Sequence, residues 1–214
     1  MTAEKILFFF LNSVRRSQNR EKRQTSGMFN VVYLVDSSRS IRLKDFKKGL
    51  RAIKLLTRKA RRESNVFAAI TFSTDVEVSF NFTNQRDAER KIEKLPYMRD
   101  KTNTQLALEK CKTELLENPN SGLIKGAESK VLIVTDGQSN VKSELTLNKA
   151  QALKQSNTEI FVVAIGYHVY GMSELLDLAS TVDSHLFRVQ DMKSFVEIVK
   201  LIPPIRYQRE VKRP

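Results

Sequence analysis

Short, almost wholly apolar runs alternate with amphipathic segments along most of the chain. Four of these runs lack a helical period, at 31–35, 66–73, 130–137 and 159–166, and predict strands buried on both faces. A shorter alternating run at 76–80 predicts an edge strand. Strands of this kind need helices on both sides of their sheet. The pattern therefore predicts an α/β fold with a doubly wound, mostly parallel sheet and one short antiparallel edge strand.

Apolar residues recur at helical spacing in the intervening segments. The clearest case is 43–62, in which Leu43, Phe46 and Leu50 begin one apolar face. Further helices are predicted at 3–16, 86–95, 104–117, 143–155, 172–179 and 192–202, with a last short strand at 185–189. We expect one domain at residues 28–202, between a basic leader (1–27) and a basic tail (203–214).

The charge adds a candidate binding surface to this picture. The formal net charge is +13 in 214 residues, and the predicted helix 43–62 carries much of it on its outer face. Such a face suits an anionic polymer such as heparan sulfate, although a purely solvated face explains the same pattern. Nucleic acid is a poor fit because no aromatic residues interleave with the cations. The candidate residues are Lys47, Arg51, Lys54, Arg58, Arg61 and Arg62.

The N-terminal segment contains neither a membrane span nor a convincing signal peptide. Its longest apolar run, 6–11, has six residues, fewer than either feature needs. Arg20-Glu21-Lys22-Arg23 fits the dibasic pattern of secretory processing proteases, and a solvated linker explains it more simply. We expect that the chain either enters no secretory route or is a fragment of a longer protein.

Two of the buried strands end in a carboxylate side chain. Open α/β sheets bind ligands at the carboxyl ends of their strands, so both side chains are placed where a ligand binds. Asp36 is followed by hydroxyls at Ser38 and Ser40, and Asp136 ends a similar strand. Thr102 lies in a third polar loop, immediately before a predicted helix. With no His or Cys nearby, the first loop offers hard oxygen donors. Such donors suit magnesium or manganese better than zinc or copper.

These three loops resemble the motifs of the von Willebrand factor type A domain, in that family's order. The resemblance covers about residues 28–202 and implies a Rossmann-like fold. A single DxSxS motif would be weak evidence for this family, whereas three motifs within an alternating α/β pattern are specific to it. Asp36-Ser37-Ser38-Arg39-Ser40 matches DxSxS, Thr102-Asn103-Thr104 with Ala107-Leu108 matches the threonine loop, and Thr135-Asp136-Gly137 matches TDG.

The resemblance implies a metal-ion-dependent adhesion site (MIDAS). In such a site Ser38, Ser40 and Thr102 supply hydroxyl oxygens, while Asp36 and Asp136 supply carboxylates directly or through waters. The implied ion is Mg²⁺ or Mn²⁺, with Ca²⁺ a poorer fit. An Asp or Glu of a protein partner then replaces a metal-bound water and completes the coordination shell.

The chain departs from the family pattern around the threonine loop. Asp100-Lys101 stands where the family often has two glycines, and Gln105 stands where it often has one. Bulkier residues alter ligand access, and the cation of Lys101 either steers an acidic partner or weakens metal binding. All five ligand positions hold suitable residue types, so we expect metal binding to be retained.

Within the family, the first motif and the basic helix resemble extracellular matrix members such as matrilins, collagen-associated domains and sushi- and EGF-linked domains. That resemblance implies a secreted protein, in which Asn81-Phe82-Thr83 is an N-glycosylation acceptor. An unmodified Asn81 is the alternative. Intracellular members exist too, so the family by itself does not determine the compartment.

An enzyme is the remaining class to weigh. Two strand-end aspartates with magnesium can support phosphoryl transfer. However, Ser38 stands where a phospho-aspartyl hydrolase has a second Asp, and no P-loop, nucleophile elbow or His base is present. We predict that the protein is not an enzyme. His168 and His185 are expected to be structural or surface residues.

Two tyrosines follow the strand predicted at 159–166. Tyr167 and Tyr170 would lie at the ligand-binding edge of the sheet. They either line the ligand face or pack within their own loop, and ordinary loop packing is the simpler expectation.

Overall fold

The structure is a computed structural model that describes residues 28–60 and 65–202. Its elements in chain order are β1 (Phe29–Asp36), α1 (Leu43–Lys59), β2 (Val66–Phe72), β3 (Val76–Thr83), α2 (Gln85–Ile92), α3 (Thr104–Lys110), β4 (Glu128–Thr135), α4 (Thr146–Gln155), β5 (Thr158–Ile165), α5 (Met172–Leu178), α6 (Val182–His185), β6 (Leu186–Val189) and α7 (Met192–Leu201). A π-helical turn (Cys111–Leu116) continues α3, and a 3₁₀ turn (Ser143–Leu145) precedes α4.

The six strands form one sheet in the order β3-β2-β1-β4-β5-β6. All neighbours are parallel except β2 and β3, which are antiparallel. This confirms the predicted doubly wound sheet with its antiparallel edge strand. The strand order reverses between β1 and β4, and this switch point is where such sheets bind ligands. Val35 pairs with Val134, so the two strands end level with each other.

Side chains on the two faces of the sheet form two apolar layers. On one face, Tyr33 of β1 and Phe161 of β5 pack with α1, α2 and α7. On the other face, Leu34 and Ile133 pack with α3, α4 and α5. Helices cover both faces, which explains why β1, β4 and β5 are apolar at nearly every position.

Several predicted boundaries differ from the observed ones for local reasons. The helix expected at 104–117 changes to π-helical geometry after Lys110, and Glu117 N donates to Lys112 O five residues earlier. β3 continues to Thr83 because its alternation of apolar and polar residues continues. The short helix α6 was not predicted, and His185 belongs to it rather than to the last strand.

Some sequence predictions fall outside the described residues. These are the leader with its predicted helix and Arg20-Glu21-Lys22-Arg23, the tail 203–214, and Arg61 and Arg62 beyond the end of α1. Within the described ranges, none of the helices has the length and apolar character that crossing a membrane requires.

Candidate metal-binding site

Asp36, the last residue of β1, lies buried at the switch point of the sheet with 1% of its surface exposed. Its Oδ1 accepts a hydrogen bond from Ser38 N (2.8 Å), and its Oδ2 accepts one from Thr135 Oγ1 (2.6 Å). Burial raises the pKa of Asp36 to about 6, while these hydrogen bonds oppose the shift and nearby Asp136 adds to it. The carboxylate is therefore held in one orientation at an electrostatic cost.

A chain of hydroxyls joins this loop to the loop after β4. Ser40 Oγ donates to Asp136 Oδ1 at 2.8 Å, and the Ser38 and Ser40 hydroxyls are 3.0 Å apart. Burial also raises the pKa of Asp136, and the Ser40 hydrogen bond opposes that shift. Four of the five predicted site residues thus form one hydrogen-bonded group.

Thr102, the fifth predicted residue, is held against the Asp136 loop by its backbone. Its N–H donates to Asn140 Oδ1 (2.8 Å), and its carbonyl accepts from Asn140 N (2.9 Å) and Ser139 Oγ (3.1 Å). Among the described residues, no hydrogen bond joins the Thr102 hydroxyl to the other four side chains. The structure therefore brings the Thr102 loop to the site without linking its hydroxyl to them.

The first loop and the threonine loop are also joined by backbone contacts. Arg39 N donates to Asp100 O at 2.8 Å, and Arg99 N donates to Ser37 O at 2.9 Å. Three loops distant in sequence are consequently fixed to one another at one edge of the sheet.

The sequence analysis missed the residues that hold these loops together. Ser139 and Asn140 clasp Thr102, and Glu174 Oε1 in turn accepts from Ser139 N at 2.8 Å. Burial raises the pKa of Glu174. A signal was present, since a polar run follows the TDG motif directly, but its distant partners could not be read from spacing.

The donor set fits a hard divalent cation. It consists of two carboxylates and three hydroxyls, all oxygen donors of the kind that Mg²⁺ and Mn²⁺ accept. Both carboxylates carry raised pKa values, so a cation would relieve the cost of burying them. Nowhere in residues 28–60 and 65–202 do three or more His, Cys, Asp or Glu side chains gather in a way that could hold a metal.

The bulky residues around the threonine loop are accommodated in different ways. Gln105 is buried in the first turn of α3, where its Nε2 donates to Asn103 Oδ1 at 3.0 Å. Lys101 is exposed, and its backbone N–H donates to Thr74 Oγ1 at 3.1 Å. The glutamine is thus packed inside the fold, and the lysine remains at the surface.

Two of the six residues of the candidate anionic-polymer surface are paired with acidic groups. Lys54 forms an ion pair with Glu93 of the α2 C-terminus, and Arg58 pairs with Glu89 at 2.7 Å. Lys47 and Arg51 are exposed and have no ion pair with any described residue.

The remaining candidate residues are distributed over the surface and core. Asn81 is exposed on β3, and His168 is exposed in the loop after β5. His185 is buried, lies 2.8 Å from Thr181 Oγ1 through Nδ1, and packs on Phe161. The histidines thus occupy the structural and surface positions expected of them.

Tyr167 and Tyr170 do not pack within their loop. They are 68% and 83% exposed, so the expectation of ordinary loop packing is wrong. Their backbone is held by polar contacts and glycine turns, which leave the rings in solvent.

Comparisons with known proteins agree with the fold and with the family resemblance. Residues 30–201 match the von Willebrand factor type A domain. Integrin alpha-X of Mus musculus is 27% identical over 204 residues, which cover 90% of this chain and 17% of that protein.

Solved structures of proximal thread matrix protein 1 from the mussel byssus share the fold. One crystal form has a TM-score of 0.72 at 19% identity, covering 82% of this chain and 47% of that one. A second, with a zinc-occupied MIDAS motif, has a TM-score of 0.70 at 19% identity, covering 82% and 44%. The chain therefore spans less than half the length of each of these proteins.

Proposed function

The chain belongs to the von Willebrand factor type A domain family, and from this we propose that residues 28–202 form a divalent-metal-dependent adhesion module. The basic leader and tail lie outside that module. The observation that carries the proposal is the hydrogen-bonded group formed by Asp36, Ser38, Ser40 and Asp136 at the switch point of the sheet.

In this proposal, Asp36, Ser38, Ser40, Thr102 and Asp136 hold Mg²⁺ or Mn²⁺. The bound ion supplies a coordination position that an Asp or Glu of a protein partner can occupy. Asp36 is pre-oriented by Ser38 N and Thr135, which lowers the entropy lost on binding. Zinc is the competitor to test, because a structural relative is recorded with zinc in this motif.

Metal binding is tested by titration calorimetry of the folded chain with Mg²⁺. Asp136→Ala should abolish the binding heat, because it removes one of only two carboxylates in the donor set. Asp183→Ala is the matched control, since Asp183 is exposed in α6, away from the site. Equal Mg²⁺ affinity in the wild type and Asp136→Ala would contradict the metal assignment.

The proposal also covers catalysis and location. We propose that the protein has no catalytic activity, because the described site offers no His or Cys as base or nucleophile. Turnover of a generic phosphate ester would contradict this.

We propose that the protein is extracellular. This location is supported by the likeness to a thread matrix protein and by the exposure of the glycosylation sequon residue Asn81.

A second candidate function is binding of an anionic polymer by Lys47 and Arg51. Both are exposed on α1 without an ion pair in the described part of the chain. On heparin resin in EDTA, Lys47→Ala with Arg51→Ala should elute at lower salt than the wild type. The control removes Lys54 and Arg58, which are already paired with acidic groups. Flow-through of the wild type would contradict this function.

A further inference from the structure

We propose that Tyr167 and Tyr170 form an aromatic platform beside the metal site, on which a partner's large apolar side chain packs while a neighbouring Asp or Glu binds the ion. The occupant is an acidic protein segment that carries both side chains. This inference rests on the proposed adhesion function and identifies the chemistry of its partner.

Tyr170 of the platform lies directly beside a predicted metal ligand. Gly137, which follows Asp136, forms a parallel bridge with Tyr170, and Gln138 N donates to Tyr170 O at 3.1 Å. Paired backbones lie about 4.8 Å apart and consecutive Cα atoms about 3.8 Å apart. The Cα atoms of Tyr170 and Asp136 are therefore within roughly 9 Å of each other.

The exposure of these two rings is exceptional within the described residues. Tyr170 is 83% and Tyr167 68% exposed, whereas every other described Phe or Tyr is buried or half-buried. Neither side chain makes a hydrogen bond or ring contact with another described residue. Tyrosine rings presented in this way are typical anchors of protein interfaces.

The loop that presents the rings is fixed at both ends. Gly166 N donates to Val189 O at 2.9 Å, and Arg188 Nη2 donates to Tyr167 O at 3.4 Å. At the other end, Gly171 has a φ of 69° and packs so closely on Gln138 that a Cβ there would meet Gln138 Oε1 at 2.1 Å. A fixed backbone reduces the ordering cost that the tyrosines would add on binding.

Charge on the same edge of the sheet favours an acidic segment. Arg188 is exposed, has no ion pair in the described structure and donates to Tyr167 O, so a cation lies at the platform itself. Four further exposed cations without an ion pair among the described residues lie at this edge, together with the exposed acids Asp75, Glu77, Asp100, Glu144 and Asp191. A basic side chain on the platform would meet like charges, so an apolar side chain is the better occupant. The four further cations are Arg39, Arg99, Lys101 and Lys142.

The distance between the Cα atoms of Tyr170 and Asp136 determines how many residues separate the acidic and the apolar residue in the partner. An extended chain advances about 3.3 Å per residue, so roughly 9 Å corresponds to about three residues. We therefore expect an Asp or Glu and a Phe, Tyr, Leu, Ile or Met within about three positions of each other.

The test selects random 12-residue peptides displayed on phage against the folded chain in Mg²⁺, with elution by EDTA. Wild-type selections should be enriched in the acidic-plus-apolar pattern. Selections on a Tyr167→Ser, Tyr170→Ser variant should keep the acidic residue and lose the apolar preference. Enrichment of the same pattern on both proteins, or of acidic residues alone on the wild type, would overturn the platform while leaving the metal site standing.

A selected peptide is then measured by fluorescence polarisation. The double serine variant should bind it about tenfold or more weakly, as expected for loss of an aromatic anchor. Tyr170→Phe, which keeps the ring, should retain binding, and so should Val182→Ser, an exposed apolar site before β6. Thermal melting and Mg²⁺ titration of the serine variant should match the wild type. If wild-type selections yield no more EDTA-eluted peptide than Asp136→Ala, both the platform and the adhesion function fail.

Discussion

At the scale of single residues, the candidate metal site depends on residues that hold the predicted metal ligands in position. Asn140 is the clearest case, because its backbone and side chain both bond the backbone of Thr102. It is exposed and lies outside the predicted ligand set. Its contribution is therefore to position the threonine loop, in the way that outer-shell residues orient metal ligands.

We predict that Asn140→Ala weakens Mg²⁺ binding and lowers the free energy of unfolding by about 0.5–1.5 kcal/mol, the net worth of one hydrogen bond. Asn140→Asp keeps an oxygen acceptor for Thr102 N and should restore most of the Mg²⁺ affinity and most of the stability. Calorimetry measures the affinity, and urea unfolding measures the free energy of unfolding. If Asn140→Ala binds Mg²⁺ as tightly as the wild type, Thr102 is not positioned in this way.

A second residue-scale prediction concerns His185, whose pKa is lowered chiefly by burial. The unfolded chain then binds more protons than the folded chain as pH falls below the ordinary value of 6.5, so His185 stabilises the fold above that pH and the stability is lost below it. In EDTA, His185→Gln should show a smaller fall in unfolding free energy between pH 7.5 and 5.5, values chosen to bracket about 6.5.

The pH dependence of the unfolding free energy must be compared between the variant and the wild type, because other groups contribute to it in both proteins. The raised pKa of Asp36 acts in the opposite direction, since that group loses stability as pH rises. His168→Gln changes an exposed histidine and is the control. An unchanged pH dependence in His185→Gln would contradict the prediction.

At the scale of elements, the sequence predicted types and order better than ends. Strands β1, β4 and β5 were found because burial on both faces leaves a local apolar run. The π-helical turn after α3 and the short α6 were missed. Their geometry depends on packing against the rest of the fold, which hydrophobic spacing does not record.

Close contact between α1 and α7 gives a prediction at this scale. A Cβ on Gly49 would lie 3.1 Å from Sδ and 3.3 Å from Cε of Met192. Gly49→Leu should force the helices apart and destabilise the fold by about 1–3 kcal/mol through overpacking. Urea unfolding measures this, with Lys47→Leu on the exposed face of α1 as the control. Equal stability of Gly49→Leu and the wild type would contradict the close packing.

At the scale of the whole molecule, the candidate ligands come together only when the sheet is complete. Ser40 and Asp136, which share a hydrogen bond, are 96 positions apart in the chain. An unfolded chain therefore presents no comparable group of donors, and an ion that binds the site should stabilise the whole fold.

We predict that Mg²⁺ raises the melting temperature of the wild type and that EDTA reverses the effect. At a free concentration about 100 times the Kd, the gain should be about 2.7 kcal/mol. Thermal unfolding at matched ionic strength measures it. Asp136→Ala should show no gain, and an equal gain in that variant would assign the stabilisation to general salt effects.

The amino-acid sequence by itself determined the order of strands and helices, the two strand-end aspartates and the hard-oxygen character of the site. These features are local, since they depend on residue type and on spacings of two to four positions. Only the tertiary structure decided that Asn140 holds Thr102 and that Lys54 and Arg58 form ion pairs with Glu93 and Glu89. It also decided that Tyr167 and Tyr170 are exposed and that Tyr170 pairs with Gly137, next to Asp136. The physical reason is that each of these depends on segments tens of residues apart, which meet only when the strands align and the helices pack.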